Sequence, residues 1–200
     1  MNLLKSFLMA VLIFYAAPSL WADSAPETAV RDSIFVNIGA TTPLDPANFN
    51  SSQTPGYNGG LGYGFGLSPL FQLVIDANSD NFPLNRAAYN GASGGNLRIG
   101  TLLANIRLRV LAQDNPVVPY LIFGLGAARV EQEAITNGGA LISPATSTAN
   151  FAGRFGIGID IRISALAALY VESSGYGILT NNTPGNTTYN SFRLGGKFNL

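Results

Sequence analysis

Nine charged residues in the body of the chain alternate with apolar residues or glycine: Asp76, Arg107, Arg109, Arg154, Asp160, Arg162, Glu172, Arg193 and Lys197. Segments such as IRLR and FGIGIDIRI show the pattern best. Alternation of this kind turns every second side chain to one face of a strand. Charges gathered on one face and removed from water must be paired or hydrogen-bonded. The planar fork of arginine matches carboxylates two bonds at a time. The expectation is a network in which the arginines fork across Asp76, Asp160 and Glu172. Such a network can fill an interior as a structural plug, or it can line a polar conduit. Acid–base catalysis by Asp160 with Glu172 is a third possibility, but it needs one acid and one base, and arginines near both argue against that division.

What the chain lacks narrows the chemistry further. It contains no histidine and no cysteine. A Ser–His or Asp–His mechanism is therefore impossible. A thiolate metal site, a disulfide framework and a lipid-anchoring cysteine are equally excluded. No calcium-loop spacing occurs, so neither a metal nor an organic cofactor is expected. The glycine-rich run YNGGLGYGFG lacks the lysine and the following helix of a phosphate loop. Lysine plus arginine equal aspartate plus glutamate at 11 each, with no basic cluster, so no nucleic-acid partner is expected.

The elements that carry these residues read as strands. Charged residues make up 11% of the chain and apolar residues 47%, yet no apolar run long enough for a spanning helix follows the N-terminus. Residues 1–22, MNLLKSFLMAVLIFYAAPSLWA, read as a cleavable export signal. Lys5 gives the positive start, Phe7 to Ala17 the apolar stretch, Pro18 the break and Ala22 the residue before the cut. The mature domain is then 23–200. Period-two alternation predicts eight strands: 33–41, 57–67, 70–78, 96–111, 118–131, 150–163, 166–176 and 189–200. In the fourth, Leu97 and Ile99 fall out of phase with Leu102 to Val110, and a bulge near Gly100–Thr101 would reconcile them.

Connections between the strands alternate in length. Long polar ones fall at 42–56, 79–95, 132–149 and 177–188. Short ones fall at Ser68–Pro69, Ala112–Pro116 and Ser164–Ala165. The fold class expected is all-β: an eight-stranded antiparallel up-and-down transmembrane β-barrel with both termini on the short-turn side. The polar face offers mostly Gly, Ser and Asn with a few Arg, which suits a cramped interior and not a soluble surface. The apolar face is expected to meet lipid, with Tyr57, Phe71, Phe151, Phe192 and Phe198 near its edges. An interior of eight strands is just wide enough for side chains to fill, which favours the plug over the conduit.

The stretch LRIGTLLANIRLRVLAQDNPVVPYLIFGLGAARV (97–130) resembles the central hairpin of OmpA-like and OmpX-like outer-membrane barrel domains, as does FGIGIDIRISALAALYVESSGYG (155–177). The terminal FRLGGKFNL is similar to their C-terminal assembly signal, carried here by Phe192, Phe198 and Leu200. The family usually ends in an aromatic residue, and this chain ends in Leu200. The resemblance implies location in the bacterial outer membrane. It implies contact with outer-membrane lipids and lipopolysaccharide, and passage through periplasmic chaperones and the barrel-assembly machinery. Lipid- and peptide-cleaving members of such barrels need a histidine, which leaves a non-enzymatic structural or surface-interaction role, or a narrow porin-like channel. The long loops are polar and low in charge, which suits exposure at the surface, adhesion or contact with partners, and suits equally a loop set that only seals the barrel mouth.

Overall fold

The computed structural model describes residues 31–111, 115–179 and 186–200. The expected export signal lies outside the described residues, as do 112–114 and 180–185. Among the described residues no helix is long and apolar enough to cross a membrane.

Eight strands close into an antiparallel barrel in the order β1-β11-β10-β9-β6-β5-β3-β2. They are β1 (Ser33–Asp45), β2 (Gly56–Gly66), β3 (Phe71–Phe82), β5 (Leu97–Arg109), β6 (Val117–Gln132), β9 (Thr146–Arg162), β10 (Ala167–Leu179) and β11 (Thr187–Asn199). The long-loop end carries a small crown. A short helix α1 (Ala47–Ser52) follows β1, and β4 (Ser93–Gly94), β7 (Ile135–Asn137) and β8 (Ala140–Ser143) form a three-stranded sheet. Gly138 and Gly139, with φ of 57° and 86°, join β7 to β8. Two successive positive φ values make the tight hairpin turn that a side chain would strain.

Closure rests on β11, which pairs with β10 on one side and β1 on the other. The seam runs from Ser33↔Asn199 to Thr42↔Asn190 without a break in register. Phe198 lies opposite Ile34 and Phe192 opposite Ala40, so the terminal segment supplies half of that seam. Closing the cylinder gives every strand a partner on both sides, as the hydrocarbon interior of a bilayer demands of a backbone.

Outward positions are apolar and open. Ile38, Leu61, Leu102, Leu125, Phe155 and Leu194 are all exposed. Tyr57, Phe71, Phe151, Phe192 and Phe198 also face outward. Phe192 and Tyr57 share a row at the long-loop end through Ala40, while Phe71 and Phe198 lie near the short turns.

Two expectations fail, one on parity and one on length. β5 pairs with β3 and β6 in unbroken register through Gly100 and Thr101, so there is no bulge. Leu97, Ile99 and Leu103 point inward on the same parity as Asn105 and Arg107. The expectation assumed that apolar residues belong only on the lipid face; near the long loops the inner face is apolar too. The third strand also runs on to Phe82 instead of ending at 78, which brings Asp80 and Phe82 into the barrel as buried residues.

Inward glycines make room for the large inward side chains. Gly158 lies opposite Tyr120 and Gly195 opposite Tyr170. A Cβ at either glycine would sit 2.4 Å from ring atoms of the facing tyrosine. Gly158→Val should therefore force the Tyr120 ring to move, at a cost of about 1–3 kcal/mol typical of an overpacked core. A lower urea midpoint for the refolded barrel in lipid vesicles is the expected reading; an unchanged midpoint would show that the pair is not close-packed.

Candidate functional site

The lumen is built in two tiers. The tier toward the short turns is ionic. Asp160 on β9 accepts both arms of Arg107 from β5, Nη2 to Oδ1 at 2.6 Å and Nη1 to Oδ2 at 3.1 Å. Lys197 on β11 donates to the same Oδ2 at 3.3 Å. The Arg107 guanidinium also lies 3.4 Å from the centre of the Tyr120 ring, a cation–π contact made strong by the exclusion of water. Among the described residues Arg109 reaches no carboxylate. It donates to Gln72 Oε1 at 2.9 Å and to the Pro69 carbonyl at 3.2 Å.

Above this pair, Arg154 of β9 spans two carboxylates. Its Nη1 donates to Asp76 Oδ2 at 2.5 Å, its Nη2 to Glu172 Oε1, and its Nε to Ser174 Oγ at 3.1 Å. Tyr120 Oη donates to Glu172 Oε2 at 3.2 Å, which links the two ion clusters. Arg193 of β11 is buried, lies over the Tyr176 ring at 5.2 Å, and donates Nε to Ser191 Oγ at 3.2 Å.

The tier toward the long loops is aromatic and aliphatic. Tyr176 and Tyr189 stack with centroids 4.8 Å apart and planes 4° from parallel. Tyr189 meets Phe82 edge-on at 5.4 Å, and Phe82 meets Phe49 of α1 at 5.2 Å. Ile99, Leu103 and Ile178 pack around them. Tyr189 Oη donates to Asp80 Oδ2 at 3.0 Å, so the one acid in this tier is held by a hydroxyl. Helix α1 thus acts as a stopper, with Phe49 as the side chain that enters the mouth.

A cavity of ≈ 20 Å³ remains in the ionic tier, bordered by Asn37, Asp76, Arg154, Glu172 and Arg193 among others. That is room for about one water molecule. Arg193 Nη2, Asp76 Oδ1 and Asn37 Oδ1 have no protein partner. They offer one donor and two acceptors, a set that a single water can satisfy.

Eight of the nine charged residues singled out in the sequence are buried in the lumen. Arg162 is not: it is exposed at the short-turn rim, where its Nε donates to the Ser164 carbonyl at 3.3 Å. Its parity is inward, but it is the last residue of β9, beyond the level at which the wall encloses a side chain. Sequence reasoning missed Asp80, Tyr120, Tyr176 and Tyr189. The alternation Gln72, Val74, Asp76, Asn78, Asp80, Phe82 carried the signal for Asp80, had the strand been extended. Among the described residues, no group of histidine, cysteine or acidic side chains could hold a metal ion.

Comparison with known proteins agrees with this geometry. The model of the outer membrane protein β-barrel domain family matches residues 7–198. The fold is similar to that of neisserial surface protein A, NspA, with a TM-score of 0.65 at 13% identity, covering 84% of this chain and 97% of that one. It is similar also to the N-terminal barrel of Pseudomonas aeruginosa OprF, with a TM-score of 0.51 at 11% identity and coverage of 84% and 97%. No curated protein matches the chain in sequence.

Removing one carboxylate from the double clamp tests the network. Glu172→Ala strands part of the Arg154 charge and the Tyr120 hydroxyl, and should cost about 3–5 kcal/mol as for other broken buried pairs. Replacing the trio together, with Asp76→Asn, Arg154→Met and Glu172→Gln, should cost less than Glu172→Ala alone. Unfolding in urea from lipid vesicles measures both; a single variant as stable as the parent would remove the network from the account.

Proposed function

This chain belongs to the family of outer membrane protein β-barrel domains, and on that premise we propose that it is a closed, non-catalytic barrel whose working surface is its long-loop crown. One observation carries the reading: side chains fill the lumen from the Arg107–Asp160 pair to Phe49 at the mouth. The cavity in the ionic tier holds ≈ 20 Å³, room for about one water molecule and less than a hydrated ion needs. A narrow channel would need the Arg154 clamp and the Tyr176–Tyr189 stack to part together, against paired charges and packed rings.

The chain has no histidine, and each carboxylate of the ionic tier is held by a cation. Both features weigh against hydrolytic chemistry in the lumen. Activity then falls to the crown, which displays Leu141 and Ile142 of β8 to solvent. Exposed apolar residues above the lipid belt suit contact with a partner at the cell surface. Residues 1–22 serve in this reading as the export signal that brings the chain to the periplasm.

Two measurements check the reading. Purified barrel added to planar bilayers should give no unitary current steps under applied voltage; reproducible steps from the parent protein would replace the closed barrel by the channel. N-terminal sequencing of protein from the outer-membrane fraction should begin near Asp23. A mature chain that still starts at Met1 would refute the signal assignment.

A further inference from the structure

The outer wall carries a feature that neither lumen nor crown explains. On β6 the outward residues from Val117 to Ala127 are uncharged. Ten steps of about 3.4 Å inclined by about 40° rise about 26 Å, close to the height of a lipid-facing belt. The next outward residue is Arg129. Across the sheet, the row Ala77, Leu102, Ala127 and Phe151 ends the apolar wall. Two polar rows follow: Ser79, Gly100, Arg129 and Ala149, then Asn81, Arg98, Glu131 and Ser147. Arg98 and Arg129 therefore stand diagonally on neighbouring strands, within about two rows of the hydrocarbon edge, where headgroups lie.

Both arginines are exposed. Arg98 Nε donates to Ser79 Oγ at 2.9 Å. Arg129 Nε donates to Ser147 Oγ at 3.2 Å and meets Glu131 Oε1 at 2.7 Å, with its side chain 68% exposed. Among the described residues both arginines are held through Nε. Two carboxylates stand beside the two cations: Glu131 opposite Arg98, and the exposed Glu133 one row further toward the loops. The short-turn rim differs: there Arg31 Nη1 and Arg162 Nε donate to turn carbonyls. The opposite wall at the long-loop end presents Thr42, Tyr57, Gly177 and Thr188, with the exposed anion Asp45 opposite Thr188 and no cation among them.

We propose that Arg98 and Arg129 form a binding site for the phosphate of an outer-leaflet lipid headgroup. Two guanidinium forks held by serine hydroxyls present several N–H donors to one set of phosphate oxygens. The acyl chains of that lipid would run down the wall over Leu102, Leu125 and Phe155, all exposed. A one-sided site would hold a particular lipid against this wall, in contrast to the uniform solvation of the rest of the belt.

The test uses the full mature barrel in a neutral detergent, titrated with a diphosphorylated glycolipid and with the same glycolipid stripped of phosphate. Retention is read by native mass spectrometry. The parent should keep the phosphorylated lipid at least about ten-fold better than the stripped one. Arg98→Gln with Arg129→Gln should abolish that preference, while Arg86→Gln, which removes a cation from the crown, should leave it intact. The mobility difference between boiled and unboiled samples shows that each variant is folded. Equal retention of both lipids by the parent would overturn the proposal. So would an undiminished preference in the double variant, or an equal loss in Arg86→Gln, which would reduce the effect to bulk charge. Inorganic phosphate at millimolar concentration should compete weakly; full displacement by it would identify a free-anion site and overturn the assignment to lipid.

Discussion

The seam between β1 and β11 is the constraint from which the rest follows. In hydrocarbon an unpaired strand edge would leave a row of amide groups without partners, each at a cost of several kcal/mol or so. Joining the first strand to the last removes both edges and fixes the circumference at eight strands. A cylinder that narrow has little interior, so what fills it is decided residue by residue. Tyr120 and Tyr170 are accommodated because glycine faces each of them. Arg107 and Arg154 are accommodated because each meets carboxylates and rings at close range.

The two tiers solve different problems. The ionic tier holds its place through directional bonds, since each guanidinium accepts few arrangements of its carboxylates. The aromatic tier excludes water from the mouth by contact, with Phe49 on α1 tying the first long loop to the wall at Phe82. Placing the apolar tier beneath the loops lets Asp80 be the one acid there, kept by the Tyr189 hydroxyl. The same inside-out principle ends at the outer wall above Leu102, where polar rows replace apolar ones.

Strand number, direction and the outward apolar face were legible in the sequence, because period-two alternation reports them directly. The charged residues of the lumen were legible for the same reason: an arginine between two lipid-facing residues has one place to go. The upper tier was hidden by its composition. Leu97 and Ile99 carry no label that separates a plug from a lipid wall, and only the register with β3 and β6 shows which way they point. Arg162 failed through height and not through parity, a coordinate that alternation does not encode. The pairing of particular charges, such as Arg154 with both Asp76 and Glu172, joins residues 78 and 18 positions apart. Nothing local to either segment specifies it.

The final strand brings more than backbone to the cylinder. Before β11 docks, the other strands hold Arg107, Arg109 and Arg154 against Asp76, Asp80, Asp160 and Glu172, an anionic half-pipe. Arg193 and Lys197 arrive on β11 itself, and Lys197 completes the shell around Asp160. Sealing the cylinder and bringing these two cations to its acids are thus one event. A sheet that entered the bilayer with β11 astray would carry four carboxylates against three arginines into oil, and electrostatics would reject it.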